Sequence, residues 1–183
     1  MRIFFLVVVS TLFLLQGCNG VDGDLSSMDI EEKDTRNYCE NSDELLSLID
    51  FETIEKGYFP YNLDKLIEQY SIKQRYEIFE KNDRKEDYFK NLFSYLSGNN
   101  NSDIDGKVIF TTLGLRHYGG SYIDIEQIEE YDEYIKVKII TESPGDNCLC
   151  TTAMEYPYQF VKISNKYKKK IAFCETHIKT ICD

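Results

Sequence analysis

The chain has 183 residues and is strongly acidic, with 32 Asp and Glu against 21 Lys and Arg and a formal net charge of −11. An acidic surface repels phosphate groups, so this balance argues against DNA, RNA and anionic lipid headgroups as direct partners. The one basic run, at residues 168–170, is more typical of a solvated strand edge or turn than of a binding patch.

Residues 1–17 have the pattern of an export signal. One charge at Arg2 precedes an apolar run from Ile3 to Leu15, which is too short to cross a bilayer core of about 30 Å comfortably. The run ends in Leu15-Gln16-Gly17-Cys18, which resembles the lipobox of bacterial lipoproteins. The sequence therefore predicts cleavage before Cys18 and lipidation of that cysteine.

A lipidated Cys18 would place the protein on a membrane of the bacterial cell envelope. Each buried CH₂ of the attached lipid contributes about 0.8 kcal/mol to membrane binding, so the diacylglycerol and acyl chain on Cys18 anchor the protein more strongly than a single acyl chain would. We expect no other cofactor. Asn19 is not the aspartate that retains lipoproteins at the inner membrane in enteric bacteria, which favours an outer-membrane or surface-facing position where the source has an outer membrane. An ordinary cleaved signal with an incidental cysteine and an uncleaved anchor remain alternatives.

Five further cysteines are candidates for disulfide bonds in an exported protein: Cys39, Cys148, Cys150, Cys174 and Cys182. An odd number leaves at least one free, intermolecular or otherwise ligated. Cys148 and Cys150 are too close in sequence to bridge each other without strain, so each is expected to pair with one of the other three. We expect one or two structural disulfides near the C-terminus, with the pairing open. The C-x-C spacing without a second pair is weak support for zinc, and no metal site is predicted.

The mature chain divides into a tether and one domain. Residues 18–41 hold the lipidated cysteine and an acidic, Ser- and Gly-containing stretch that is poor in large apolar residues, which predicts a flexible tether. Residues 42–183 are predicted to form a single domain. Its start suggests a short helix from Ser42 to Ile49 and a first strand in residues 51–61.

Two segments then show helical periodicity. After Asn62, one apolar stripe consists of Leu63, Leu66, Ile67 and Tyr70. Asp83 and Glu86 have the spacing of a capping box. They precede a second stripe made of Tyr88, Phe89, Leu92, Phe93 and Leu96, and Gly98 is expected to end this helix.

After residue 103 the apolar period changes from 3.6 to 2. The run Val108–Leu113 predicts a central strand, and Gly119-Gly120 predicts a turn with positive φ. Further strands are predicted at Ile123-x-Ile125-x-Gln127 and at Ile135-x-Val137-x-Ile139, then at residues 160–163 and 170–173. We therefore predict an α+β fold, with short helices in the first half and an antiparallel sheet of about five or six strands in the second.

The sequence does not predict an enzyme. Its 32 acids make paired carboxylates uninformative. His117 and His177 belong to neither a zinc-protease motif nor a serine-nucleophile motif, and residues 114–120 lack the Lys-Ser/Thr ending of a phosphate loop. Cys-His pairs are conceivable, but disulfides explain the cysteines of an exported domain better.

One stretch resembles a known family. Ile104-Asp105, Val108-Ile109-Phe110, Gly114, Gly119-Gly120 and Ile123-x-Ile125 are similar to the core of the PrcB-like lipoproteins, whose C-terminal domain carries a G-x-K-P-T-G-G-Y-x-I-x-I signature. The likeness continues through Val137, Pro144-Gly145, Thr152 and Pro157–Ile163, and it is good over residues 107–165. We place the family's C-terminal core at residues 103–165. Residues 51–57 resemble the family's opening strand more loosely.

The resemblance implies a non-catalytic, anchored domain that associates with and stabilises a secreted, subtilisin-like protease or its propeptide. The chain departs from the signature at Arg116-His117-Tyr118, which stand in place of Lys-Pro-Thr. It departs again at Ser121, which takes the aromatic position and leaves Tyr122 one residue later.

Two faces are candidate partner-binding sites: the turn with His117, Tyr118, Gly119, Gly120 and Tyr122, and an edge strand open to β-augmentation. Each of these residues could instead only pack or shape the turn. The alternative function is that of a generic ligand-binding or maintenance lipoprotein of the envelope that shares the fold.

Overall fold

A computed structural model of the protein describes residues 35–40, 42–58, 70, 73–98 and 105–181. The predicted signal peptide, Cys18 and the predicted helix that follows Asn62 lie outside these residues, apart from Tyr70, which is in a bend. Within the described part of the chain, no helix has the length and apolar character to cross a membrane.

The described residues form eight strands and two helices. The strands are β1 (Ser47–Leu48), β2 (Glu52–Tyr58), β3 (Arg75–Glu80), β4 (Lys107–Thr112), β5 (Tyr122–Glu130), β6 (Tyr134–Pro144), β7 (Pro157–Ile163) and β8 (Lys170–Thr180). The helices are α1 (Thr35–Glu40) and α2 (Glu86–Ser97). Sheet A has the order β1-β5-β6-β8 and sheet B the order β2-β7-β4-β3. Neighbouring strands are antiparallel except β6 and β8, which are parallel.

The two sheets pack face to face around one apolar core, and α2 covers the other face of sheet B. Between the sheets lie Ile109 and Val161 of sheet B with Ile125, Val137 and Ile139 of sheet A, each at most 2 % exposed. Because β4 has α2 on one face and sheet A on the other, all six of its residues are buried. The prediction of a central strand at this position is confirmed.

Helix α2 packs through the predicted stripe, with Phe89, Leu92, Phe93 and Leu96 buried against sheet B. Gly98 ends the helix in the left-handed conformation at φ 68°, as expected. The predicted capping box is wrong, because the helix begins at Glu86 after Lys85, which caps it without a side-chain bond. The Glu86 carboxylate instead accepts the Asn82 backbone N–H at 2.6 Å.

Helix α1 packs on the outer face of sheet A, although its residues belong to the predicted tether. Tyr38 lies 4.5 Å from Tyr134, ring centre to ring centre. Cys39 forms a disulfide bond with Cys174 of β8. These contacts hold α1 over the first half of β8.

The protein is mostly β, with few short helices that lie in the first half. The predicted single sheet of five or six strands is corrected to two sheets, and three of the strands precede residue 103. The predicted helix Ser42–Ile49 is wrong, because Ser47 and Leu48 pair with β5. Only Ile49 reaches the core, while Leu45, Leu46 and Leu48 stay exposed. Apolar residues at helical spacing do not make a helix where only one of them has a core to enter.

A β-bulge in β5 changes which side chains face the core. The register shifts between Ile125 and Gln127, so that Gln127 is only half-buried and Ile128 faces inward at 1 % exposure. The expectation that Gln127 shares the face of Ile123 and Ile125 is therefore wrong.

Candidate functional site

The sandwich opens at one end into a cleft of about 550 Å³. The cleft lies where β6 and β8 end and where β4 leads into β5. The inward-facing residues of β8 explain its polar character, since Ile171 and Phe173 pack on the core while Glu175, His177 and Lys179 line the cleft. Burying polar side chains between two sheets away from water is costly, so the sheets stay apart here and leave an open space.

Four side chains of the neighbouring strands β6 and β8 are linked by hydrogen bonds along the sheet A wall. Thr141 Oγ1 donates to Glu175 Oε1 at 2.7 Å and lies 2.9 Å from His177 Nδ1. Because a carboxylate only accepts hydrogen bonds, the hydroxyl proton of Thr141 is donated to Glu175. The oxygen of Thr141 therefore accepts from His177, which must donate from Nδ1. In neutral His177, Nε2 is then an acceptor, and it lies 3.1 Å from the hydroxyl of Ser143.

Glu175 is fixed by further donors from β3 and the residue before it. The hydroxyl of Tyr76 and the amide of Gln74 donate to Glu175 Oε2 at 2.6 and 2.7 Å. Burial, and then the charge of Glu175, raise the pKa of the Tyr76 hydroxyl, which keeps it protonated as a donor. Glu175 therefore orients the series of hydrogen-bonded side chains that leads to Ser143.

The opposite wall is the loop that connects β4 to β5. Arg116 and Glu155 hold this loop in place by exchanging two backbone hydrogen bonds of 2.8 and 2.9 Å. His117 and Tyr118 follow at the rim, both exposed, with Tyr118 at 43 %. The fold thus brings the only two histidines of the sequence, His117 and His177, to one cleft.

The double glycine shapes this loop. Gly120 has a φ of +94° and its N–H donates to the Glu155 carboxylate, in agreement with the predicted positive-φ turn. A Cβ on Gly119 would meet Thr151 Oγ1 at 2.2 Å and Glu155 Oε1 at 2.8 Å. These glycines are needed because the loop passes close to residues 151–155.

Tyr122 lies away from the cleft. Its hydroxyl donates to Asp124 at 3.0 Å and accepts from Lys56 Nζ at 2.6 Å, and Lys56 also pairs with Asp124 at 2.8 Å. Burial acts to lower the pKa of Lys56, but the hydrogen bonds to Asp124 and Tyr122 outweigh it and raise the pKa. This cluster joins β2 to β5 on the side of the sandwich away from β8.

The structure places two of the predicted turn residues, His117 and Tyr118, at the cleft. The sequence predictions do not include Thr141, Ser143 or Glu175. The strand predicted at residues 170–173 extends to Thr180, and the same period of two continues through Glu175, His177 and Lys179. Continuing that alternation past Phe173 would have found the cleft residues of β8.

The described cysteines are all bonded. Besides the Cys39–Cys174 bond, Cys148 and Cys150 are each in a disulfide, and Cys150 lines the cleft. Cys18 and Cys182 lie outside the described residues. Within the described ranges, no three His, Cys, Asp or Glu side chains are grouped to hold a metal ion.

Exposed apolar side chains lie at the same end of the sandwich as the cleft. We call this end of the sandwich, formed by residues 113–121 and 145–156 with the ends of β2 and β8, the loop end. It carries Tyr58, Tyr118, Leu149, Met154, Ile178 and Ile181, which are 43 to 93 % exposed. Leu149 and Ile181 are the most exposed of the six, at 93 and 90 %.

Comparison with known proteins identifies one part of the chain. Neither the curated proteins nor the solved structures contain a significant match. Residues 107–164 match the family model described as PrcB C-terminal. This segment contains β4, β5, β6 and β7, which are the inner strands of both sheets, while β1, β2, β3 and β8 add the four edges. This match over residues 107–164 confirms the resemblance to the PrcB-like family seen in the sequence over residues 107–165.

Proposed function

We propose that this protein is a non-catalytic lipoprotein that binds a secreted, subtilisin-like protease or its propeptide and stabilises it at the surface of the bacterial cell envelope. The match to the PrcB C-terminal family supports this proposal. The observation that carries it is the loop end, where an open cleft and six exposed apolar side chains lie at the same end of the sandwich.

The composition of the loop end is that of a protein-binding surface. Contiguous exposed apolar groups mark interaction sites on soluble domains, and aromatic residues and methionine are enriched in interfaces. Tyr118 and Met154 are such residues, and the adjoining cleft can receive one side chain of the partner. The polar chain from Glu175 to Ser143 supplies fixed hydrogen-bonding groups in that cleft.

We assign the Ser143–His177 pair to binding, although the two are placed as a nucleophile and its base would be. In a binding site, Ser143 and His177 present a hydroxyl of defined orientation to a bound chain.

A small-molecule ligand fits the cleft less well than a protein segment. Ligand pockets are mostly enclosed and lined by apolar and aromatic groups. Tyr118 is the one Tyr or Phe among the described residues of this cleft, which is open to solvent.

Affinity purification of the full lipidated protein from its own envelope tests the proposal. We expect a subtilisin-like protease to co-purify with the wild type, and Tyr118→Ala to reduce its recovery about tenfold, as loss of an interface anchor does. Leu45→Ala is the matched control, since Leu45 is 45 % exposed near β1, at the other end of β5. Recovery of no protease, together with unchanged abundance of this protein in a protease deletion strain, would rule the function out.

The anchor is tested in the same cells. Cys18→Ala should abolish labelling by a palmitate analogue and move the protein from the membrane fraction to the soluble fraction. Capture of the protease should then weaken, because the lipid no longer concentrates both proteins at one surface. Unchanged labelling and fractionation would remove the lipoprotein part of the proposal.

A further inference from the structure

We infer that the outer edge of β8 between Glu175 and Lys179 is a β-augmentation site, which pairs with an extended segment of the bound partner. This inference rests on the proposed function and names the way in which the partner is held. In this binding mode, backbone hydrogen bonds give affinity and alternate side chains enter pockets that give specificity.

The register of β8 shows which of its backbone groups face outward. Thr180 O accepts the N–H of Gly145, which follows β6, so even-numbered residues of β8 face β6. Phe173 O points the other way and lies 3.6 Å from the Cys39 sulfur of α1. Because N–H and C=O groups alternate along a strand, Glu175, His177 and Lys179 direct theirs away from β6.

The two halves of β8 differ in how they are covered. Helix α1 protects the first half through the Cys39–Cys174 disulfide and through Tyr38, whose ring lies 5.2 Å from Lys170 Nζ. From Glu175 to Lys179 every residue is exposed, and no described strand pairs with this edge. An unprotected edge of this kind is a template for a further strand.

The other edges of the two sheets are less suited to accept a strand. β1 has only two residues. β2 is bulged between Thr53 and Glu55, and Lys56 closes it against β5. β3 has six residues, all half-buried or buried. β8 has eleven residues and lies after the segment that matches the PrcB C-terminal family, which ends at residue 164.

The open half of β8 is also the wall of the cleft. Glu175, His177 and Lys179, whose backbone groups face outward, are the β8 residues that line the cleft. A strand paired here therefore lies beside the cleft and can place alternate side chains into it. On the other face of β8, Ile178 is 44 % exposed and offers an apolar contact to the same strand.

The site is tested by selecting random extended peptides from a display library for binding to the full mature chain. The affinities of the enriched peptides are then measured. Lys179→Pro and Lys179→Ala both remove the side chain, but only proline removes the outward N–H. We expect the proline variant to bind about tenfold more weakly than the alanine variant, the effect of one unmade hydrogen bond. Both variants should keep the wild-type unfolding midpoint, because this N–H makes no bond to β6.

Hydrogen exchange gives a second readout. Bound peptide should slow exchange at the amides of Glu175, His177 and Lys179, while those of Thr176 and Ile178 are already protected by β6. Equal binding by the two Lys179 variants, no enriched peptide, or unchanged exchange at these three amides would each overturn the edge site. The envelope purification is independent, so a protease captured without an edge effect retains the proposed function and removes only this inference.

Discussion

Thr141 Oγ1 lies 2.9 Å from His177 Nδ1, and the parallel register of β6 and β8 places these two residues opposite each other. Thr141 is fully buried and its hydroxyl also donates to Glu175, so it links the carboxylate to the imidazole. A single buried threonine thus places the proton of neutral His177 on Nδ1 and leaves Nε2 to accept from Ser143.

Replacing this threonine by its apolar isostere should destabilise the protein. Thr141→Val leaves Glu175 without one donor and His177 Nδ1 without its acceptor, and we expect a loss of about 1–3 kcal/mol in the free energy of unfolding. Urea unfolding measures it. Thr176→Val, on the exposed face of β8, should change stability by less than about 0.5 kcal/mol. Equal effects of the two substitutions would show that the hydrogen bonds of Thr141 do not contribute measurably to the free energy of unfolding.

Gly119→Ala should destabilise the loop that carries His117 and Tyr118. The new Cβ would overlap Thr151 Oγ1 and the Glu155 carboxylate, and we expect a cost of about 1–3 kcal/mol. The double variant Gly119→Ala, Thr151→Ala removes the closer of these atoms and should recover part of the loss. Thermal unfolding compares the variants, and no recovery in the double variant would contradict the assigned clash.

Acid stability should depend on Glu129. Burial acts to raise the pKa of this carboxyl, but hydrogen bonds from Lys138 at 2.6 Å and Tyr131 at 2.8 Å outweigh it, and the pKa lies below the usual 4.5. A carboxyl whose pKa is lower in the folded state than in the unfolded state stabilises the fold. This stabilisation is complete at pH values above the pKa of the unfolded state, and it is lost as the pH falls through the pKa of the folded state.

Glu129→Gln should therefore be less stable than the wild type at neutral pH, and its stability should fall less steeply below pH 4.5. Urea unfolding at a series of pH values measures both effects. Glu126→Gln, on an exposed residue of the same strand, should follow the wild-type curve. Parallel curves for wild type and Glu129→Gln would refute the assignment.

Removal of the Cys39–Cys174 disulfide should release α1 from β8. The bond joins residues that are 135 apart in sequence, and the double variant Cys39→Ala, Cys174→Ala should lose about 2–4 kcal/mol. Amides in the first half of β8, such as that of Phe173, should then exchange faster with solvent, as measured by mass spectrometry. Thr176→Ala is the control on the same face of β8, and unchanged exchange at Phe173 would show that α1 stays in place without the bond.

Local patterns in the sequence predicted the parts of the fold that depend on local burial. The stripe Phe89–Leu96 predicted α2, and the unbroken apolar run at Val108–Phe110 predicted a central strand, because a helix face and a doubly covered strand both leave a direct record in side-chain polarity. The resemblance to the PrcB family rested on the same central strands and on the Gly119-Gly120 turn.

Pairing over long distances was decided only by the tertiary structure. No local period shows that β8 lies parallel to β6, that one extra residue in β5 exchanges Gln127 for Ile128, or that the cleft joins His117 to His177. These features follow from the register between strands far apart in sequence, which is set by how the whole core closes. The sequence alone thus determined the match to the PrcB C-terminal family and the central strands, and the packing of the two sheets decided where the cleft lies.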